Sequence, residues 1–194
     1  PYDPQTASTD RGVPLSTYID IEQKYRPTNV AAVYRQIVED IEAAERTMTL
    51  EKQESPTLNY RFSLDALAAF KARVMLYMRN WQAAYDAVNA YDENWTPTLL
   101  GYCVNRSSSD RVSIRIAEMY LIAAEAGSYL PAELEKAKGY LLDLKAKRLK
   151  PEAMETQRTK VGAMDAEQLR TEIADERARE LIGEGHRWMD LRRT

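Results

Sequence analysis

The sequence predicts an all-α protein, and three observations predict it. Ala, Leu, Glu, Arg and Lys are plentiful while only 7 of 194 residues are glycine, a balance that favours helix. Apolar residues recur at helical spacing over long segments. Two pairs of those segments read as helix–turn–helix units, and no strand pattern of comparable strength competes with them. At 44% apolar and 29% charged residues, the composition is that of a globular chain long enough to bury a core.

The elements follow in order. Residues 1–15, PYDPQTASTDRGVPL, are rich in Pro, Thr, Ser and Asp and read as extended or turn structure. A helix follows Arg26-Pro27-Thr28, with Thr28 or Asn29 as its cap. Its apolar stripe is Val30, Val33, Tyr34, Ile37, Ile41, Ala44 and Met48. Residues 51–62 read as a polar loop containing Pro56. Ser63 then caps a helix reaching about Arg79, a turn at Asn80 follows, and Trp81 to Tyr91 form its partner. Residues 112–128 carry a single polar stripe (Arg111, Arg115, Glu118, Glu125) on an otherwise apolar helix, which implies burial on nearly all sides. Past Leu130-Pro131, residues 132–148 form the second partner. The last long helix starts at Asp165, with Gln168 placed for a capping box, and ends near Ile182 where Gly183 and Gly185 stop it. Arg187 to Arg193 form a short final helix.

The units at 63–91 and 112–148 resemble tetratricopeptide (TPR) repeats, in which small residues let antiparallel helices approach and an aromatic wedges the turn. Ala72, Trp81, Ala84 and Val88 fit the first unit, and Ala124, Ala137 and Leu141 fit the second if one residue is inserted at the turn. The whole chain, 1–194, reads as one helical domain or a piece of one, closed by a C-terminal motif at 165–193.

Composition excludes several functions. A net charge of −3 lacks the basic excess of a nucleic-acid-binding domain. The tract Lys136, Lys138, Lys145, Lys147, Arg148 and Lys150 reads as a solvated helix face. No apolar run approaches the ~18 residues of a membrane span. Cys103 is the only cysteine, so it forms no internal disulfide. It reads as a quiet thiol, and no apolar signal segment precedes it to make it a lipidation site.

The densest chemistry lies between Glu176 and Arg193, ERARELIGEGHRWMDLRR, which holds four acids, five arginines and the only histidine. The apolar stripe of the last long helix, Leu169 and Ile173, continues by helical steps to Glu176, Glu180 and Glu184. These acids therefore fall on the packed face, where an unpartnered carboxylate is costly. A metal centre is disfavoured: di-metal bundles need paired Glu-x-x-His motifs, and zinc needs Cys/His spacing that is absent. The abundant arginines suffice to pair the acids. Glu176, Glu180, Glu184, His186, Arg187, Asp190 and Arg192 are thus expected to form a structural charged clasp, with no catalytic residue and no metal. The competing reading is a carboxylate enzyme using Glu176, Glu180 and His186.

This C-terminal run, with RIAEMYLIAAEA at 115–126, resembles the paired signatures of the SusD/RagB family. PYDPQTASTDRGVPL, the VYRQIVEDIEAAE helix and SLDALAAFKARVMLYMRNWQAA resemble it too. The resemblance implies a helical, TPR-like binding protein rather than an enzyme. It implies a lipoprotein on the outer surface of the Bacteroidetes outer membrane that captures oligosaccharides or other nutrients for a SusC-like TonB-dependent transporter. The lipid anchor would lie on sequence preceding Pro1. Family members are longer, with a long irregular insertion where this chain has Tyr91 to Arg111. No cofactor is implied.

For a glycan ligand, stacking aromatics beside polar groups are needed. Trp95 and Tyr102, near Asn94, Asn105 and Arg106, are the candidate ligand-binding residues, against packing of Trp95 over a helix end. The rival function is a TPR-type adaptor that binds another protein and no small ligand.

Overall fold

The computed structural model describes residues 2–19, 22, 24–48, 64–90 and 114–193. Ser63, Cys103, Trp95 and Tyr102 lie outside the described residues, as does the loop around Pro56. Among the described residues the architecture is a TPR-like array of antiparallel helices, all-α apart from one short ladder.

That ladder is the departure from the strand-free expectation. Strand β1 (Arg11–Pro14) pairs antiparallel with β2 (Pro27–Asn29). The register runs from Arg11 opposite Asn29 to Pro14 opposite Pro27, with an irregularity between. Prolines cannot donate to a ladder, which confines such a pair to a short edge structure. The pair delivers the chain to helix α1 (Val30–Thr47), whose first turn is capped by Asn29 Oδ1 accepting from Ala32 N at 2.8 Å.

Helices α2 (Leu64–Tyr77) and α3 (Trp81–Asn89) form the first hairpin. Arg79 closes α2 with φ +59°: Asn80 N donates to Met75 O and Arg79 N to Leu76 O, the two bonds of a Schellman-type ending. Helices α4 (Ile116–Ser128) and α5 (Leu134–Ala146) form the second hairpin, joined through a 3-10 turn at Pro131–Glu133. Ala72, Ala84 and Val88 of the first hairpin and Ala124, Ala137 and Leu141 of the second are all buried. The expected small-residue contacts are therefore the ones that seat the helices. Gly127 adds one that the pattern did not single out. A Cβ there would stand 3.0 Å from the Ala137 Cβ and 3.1 Å from Tyr85 Cε2.

Helix α4 is the hub. Met119, Ile122, Ala123 and Ala126 pack into the cluster of α2 and α3, while Ala117, Leu121 and Ala124 pack against Leu141 and Leu144 of α5. It is buried on nearly all sides, as its sequence foretold, with only Ile116 and Tyr120 partly exposed. A smaller cluster of Ile41, Leu67 and Val74 joins α1 to α2. Trp81 stacks flat on Tyr129 with centroids 4.0 Å apart, so the expected wedge bridges the two hairpins rather than closing only its own.

Helix α6 (Pro151–Gly162) has no counterpart in the sequence reading. Only Met154 and Val161 of it are buried, so its amphipathic pattern is too thin to register. Pro151 at its first turn is the one local signal that marks its start. Helix α7 (Ala166–Glu180) begins at the anticipated capping box of Asp165 and Gln168. Gly183 and Gly185, at φ +79° and +81°, then turn the chain into α8 (His186–Arg193). Among the described residues no helix is long and apolar enough to cross a membrane.

Candidate functional site

The run from α7 to α8 lies against the hub helix and distributes its charges over four groups. On the α5 side, Lys145 Nζ reaches Glu172 at 2.7 Å and Glu176 at 3.0 Å. Lys160 adds 2.7 Å to Glu172, and Arg179 adds 2.7 Å to Glu176. Burial disfavours the Glu172 carboxylate, but hydrogen bonds from Lys145 and Lys160 outweigh it and hold its pKa at about 2. The basic tract is therefore not a uniformly solvated face. Lys138 and Lys145 are buried, because their helix faces the acids of α7 and the carbonyl of Gly162 accepts from Lys138.

Glu180 accepts from Arg148 at 2.7 and 2.9 Å and from Arg115 at 3.1 Å. Arg115 also binds the Glu180 carbonyl and, at 2.7 Å, the Glu184 carboxylate. Chiefly through its bonds from Arg148, the Glu180 carboxyl is held below the usual carboxylate range. Such a group is no proton donor at neutral pH and a weak base.

Deepest is the group on α4. Arg177, 2% exposed, forks onto Asp190 at 3.2 Å through both Nε and Nη2. Arg193 donates to Asp190 at 3.0 Å and grips Glu125 with two nitrogens. Burial disfavours the Arg193 charge, yet Glu125 and Asp190 outweigh it and raise its pKa. Arg79, on the turn after α2, donates to the Arg193 carbonyl at 2.7 Å. The first hairpin thus holds the last helix by its end.

The fourth group pairs Arg73 of α2 with the fully buried Glu118 of α4, at 2.8 Å from Nε. His186 Nδ1 stands 3.9 Å from Glu118, longer than a hydrogen bond. Burial is the largest influence on its imidazole and pushes the pKa below the ordinary value; Glu118 opposes this and Arg73 adds to it. Among the described residues no three of His, Cys, Asp and Glu converge as a metal site needs.

The structure thus brings Glu176, Glu180, Glu184, His186 and Asp190 together with Arg73 of α2, Arg115 at the cap of α4, Lys145 of α5 and Arg148 just after it. Arg192 instead lies over the Trp188 ring at 5.7 Å, and Arg187 is exposed at the edge of a cleft. That cleft, about 40 Å3, opens between α4, α7 and α8 and is lined by Tyr129, Arg170, Arg177, Arg187 and Arg193, with Glu125 and Asp190. Sequence reasoning did not find Arg170 as a wall residue or Arg79 as a clamp. Arg170 sits on α7 with no motif around it, although its guanidinium covers the Tyr129 ring at 4.6 Å and donates to Ser128 O. Arg79 carried one usable signal, a non-glycine residue at a helix end followed by the capping Asn80.

The sequence profile of the SusD family matches residues 70–194. None of the curated proteins matches the chain. Among solved structures, a SusD superfamily protein from Bacteroides thetaiotaomicron VPI-5482, determined by crystallography at 1.49 Å resolution, superposes with a TM-score of 0.70 at 21% sequence identity. The match covers 94% of this chain and 60% of that one, so the chain spans three-fifths of that protein's length. A likeness at that identity carries the fold alone. The profile match runs over more than half of the sequence, from α2 through both hairpins to the charged run, and by it the chain belongs to the SusD family.

Proposed function

We propose that this protein binds oligosaccharides or other nutrients at the cell surface and delivers them to a SusC-like TonB-dependent transporter in the outer membrane. It would be held there by a lipid anchor. The observation that carries the reading is the family match over residues 70–194, on a scaffold of two TPR-like hairpins. In this reading the charged clasp is scaffold and the protein has no turnover. The depressed pKa of Glu180 and the paired state of its carboxylate support that division. Trp95 and Tyr102 are the proposed stacking residues for the glycan.

The test is a glycan panel measured by isothermal titration with the protein at its natural length, together with a reducing-sugar assay. Binding without release of product is expected, and Trp95→Ala should weaken it. Hydrolysis of the panel, or no binding to any member, overturns the reading. A second reading, a TPR-type adaptor for another protein, draws on the exposed Ile182, Trp188 and Leu191 around α8. An interaction with the transporter that survives Trp95→Ala and Tyr102→Ala, with no glycan binding, favours it.

A further inference from the structure

We propose that the cleft between α4, α7 and α8 is a binding site for a small oxyanion: a carboxylate or a sulfate. The charge balance of its walls points to an anion. Four arginines (Arg170, Arg177, Arg187 and Arg193) face two carboxylates, Glu125 and Asp190. Both carboxylates are already engaged. Glu125 receives two nitrogens of Arg193, and Asp190 receives Arg177 Nε and Nη2 together with Arg193 Nε. Two positive charges on the walls therefore have no carboxylate of the cleft to balance them.

A second observation is independent of that balance. Arg177 Nη1 is buried and has no hydrogen-bond partner among the described residues. A buried charged donor without an acceptor is costly, and Arg177 is the largest fully buried side chain among the described residues. An anion in the cleft it lines would supply the missing acceptor. Guanidinium groups match carboxylate and sulfate oxygens in their planar fork geometry, and low local dielectric strengthens such contacts.

Size and access agree. A water occupies about 10–15 Å3 of such space, so about 40 Å3 accepts a group of roughly three oxygens. Entry is from the side of Arg187, which is exposed, and of Tyr129, which is 40% exposed. The Tyr129 ring, backed by Trp81 on one side and approached by Arg170, gives the mouth an aromatic wall.

The test uses the full chain in 0.15 M NaCl, titrated calorimetrically with sodium sulfate, sodium D-glucuronate and D-glucose. Saturable binding of sulfate or glucuronate and none of glucose is expected. Sulfate alone points to a sulfate group, glucuronate to a sugar carboxylate, and either supports the site. Arg187→Gln, at an exposed position, should weaken binding about tenfold while circular dichroism stays unchanged. Arg158→Gln, a remote exposed arginine, should not alter it. A bound anion at ten times its Kd should also raise Tm by about 3–6 °C. Absence of saturable binding up to 50 mM, equal binding of glucose, or Arg187→Gln binding like the parent protein each overturns the proposal. Because sulfate is among the probes, the result is independent of the glycan panel. The oxyanion site stands if that panel fails, and falls if sulfate and glucuronate both fail to bind.

Discussion

Replacing Glu125 by Leu should be among the most damaging single changes in this protein. Glu125 sits on the hub helix with its side chain 8% exposed and neutralises Arg193, with Arg177 Nε 3.9 Å away. Leucine fills a similar volume but leaves two buried guanidiniums sharing Asp190. Breaking a buried ion pair from one side costs about 3–5 kcal/mol, a large share of the ~5–15 kcal/mol that holds a domain together. In a chain of this size each kcal/mol moves Tm by about 2–4 °C, so the expected drop is about 6–20 °C. Urea unfolding followed by circular dichroism measures the loss directly, as a lower midpoint at unchanged slope. The companion is Glu125→Leu with Arg193→Met, which removes both charges and leaves Arg177 to Asp190. Because uncompensated charge is the cause, the double variant should recover at least half of the loss. A single-variant loss below about 1 kcal/mol, or a double variant as damaged as the sum of its parts, would refute the reasoning.

Further outcomes follow from the same packing. Gly127→Val should cost about 1–3 kcal/mol in urea unfolding, because the new side chain meets Ala137 and Tyr85 at the closest approach of α4, α5 and α3. Stability should fall in acid as the Glu172 carboxylate protonates. Its folded pKa of about 2 lies below the ordinary 4.5, so its contribution is full above about pH 4.5 and lost as pH falls through 2. Lys145→Met removes one of its two hydrogen-bonded cations, Lys160 remaining, and should cost at pH 7 less than the ~3–5 kcal/mol of a fully broken buried pair and much less again near pH 2; an equal cost at both pH values would contradict the assignment. Glu180→Gln should lower Tm by weakening the Arg115 and Arg148 contacts, measured by scanning calorimetry, with glycan binding retained. Loss of binding at unchanged Tm would instead make Glu180 a functional group.

Periodicity and capping were enough to place α1, both hairpins and α7. Asn29 and Asp165 are local signals whose hydrogen bonds reach only three residues along the chain, so no tertiary information is needed to read them. The two proline-bearing strands and α6 escaped that reading. A three-residue strand is too short to show alternation, and α6 buries too few residues to show a stripe. The clasp was legible as a problem, acids on a packed face, but its solution was not. Arg115 at the cap of α4 and Lys145 and Arg148 at the end of α5 reach it across separations of up to 69 residues, and sequence spacing says nothing about which of them arrives.

Sequence alone therefore determined the helical class, the burial on nearly all sides of the helix read at residues 112–128, and the need for buried acids near the C-terminus to find partners. Those properties depend on side-chain periodicity and desolvation, both of which are local. Only the tertiary structure decided that Lys145 is buried, that Arg79 holds the end of the last helix, and that Arg170, Arg177, Arg187 and Arg193 share one cleft. Such pairings depend on which helix faces come together, and that is set by packing of the whole array around α4.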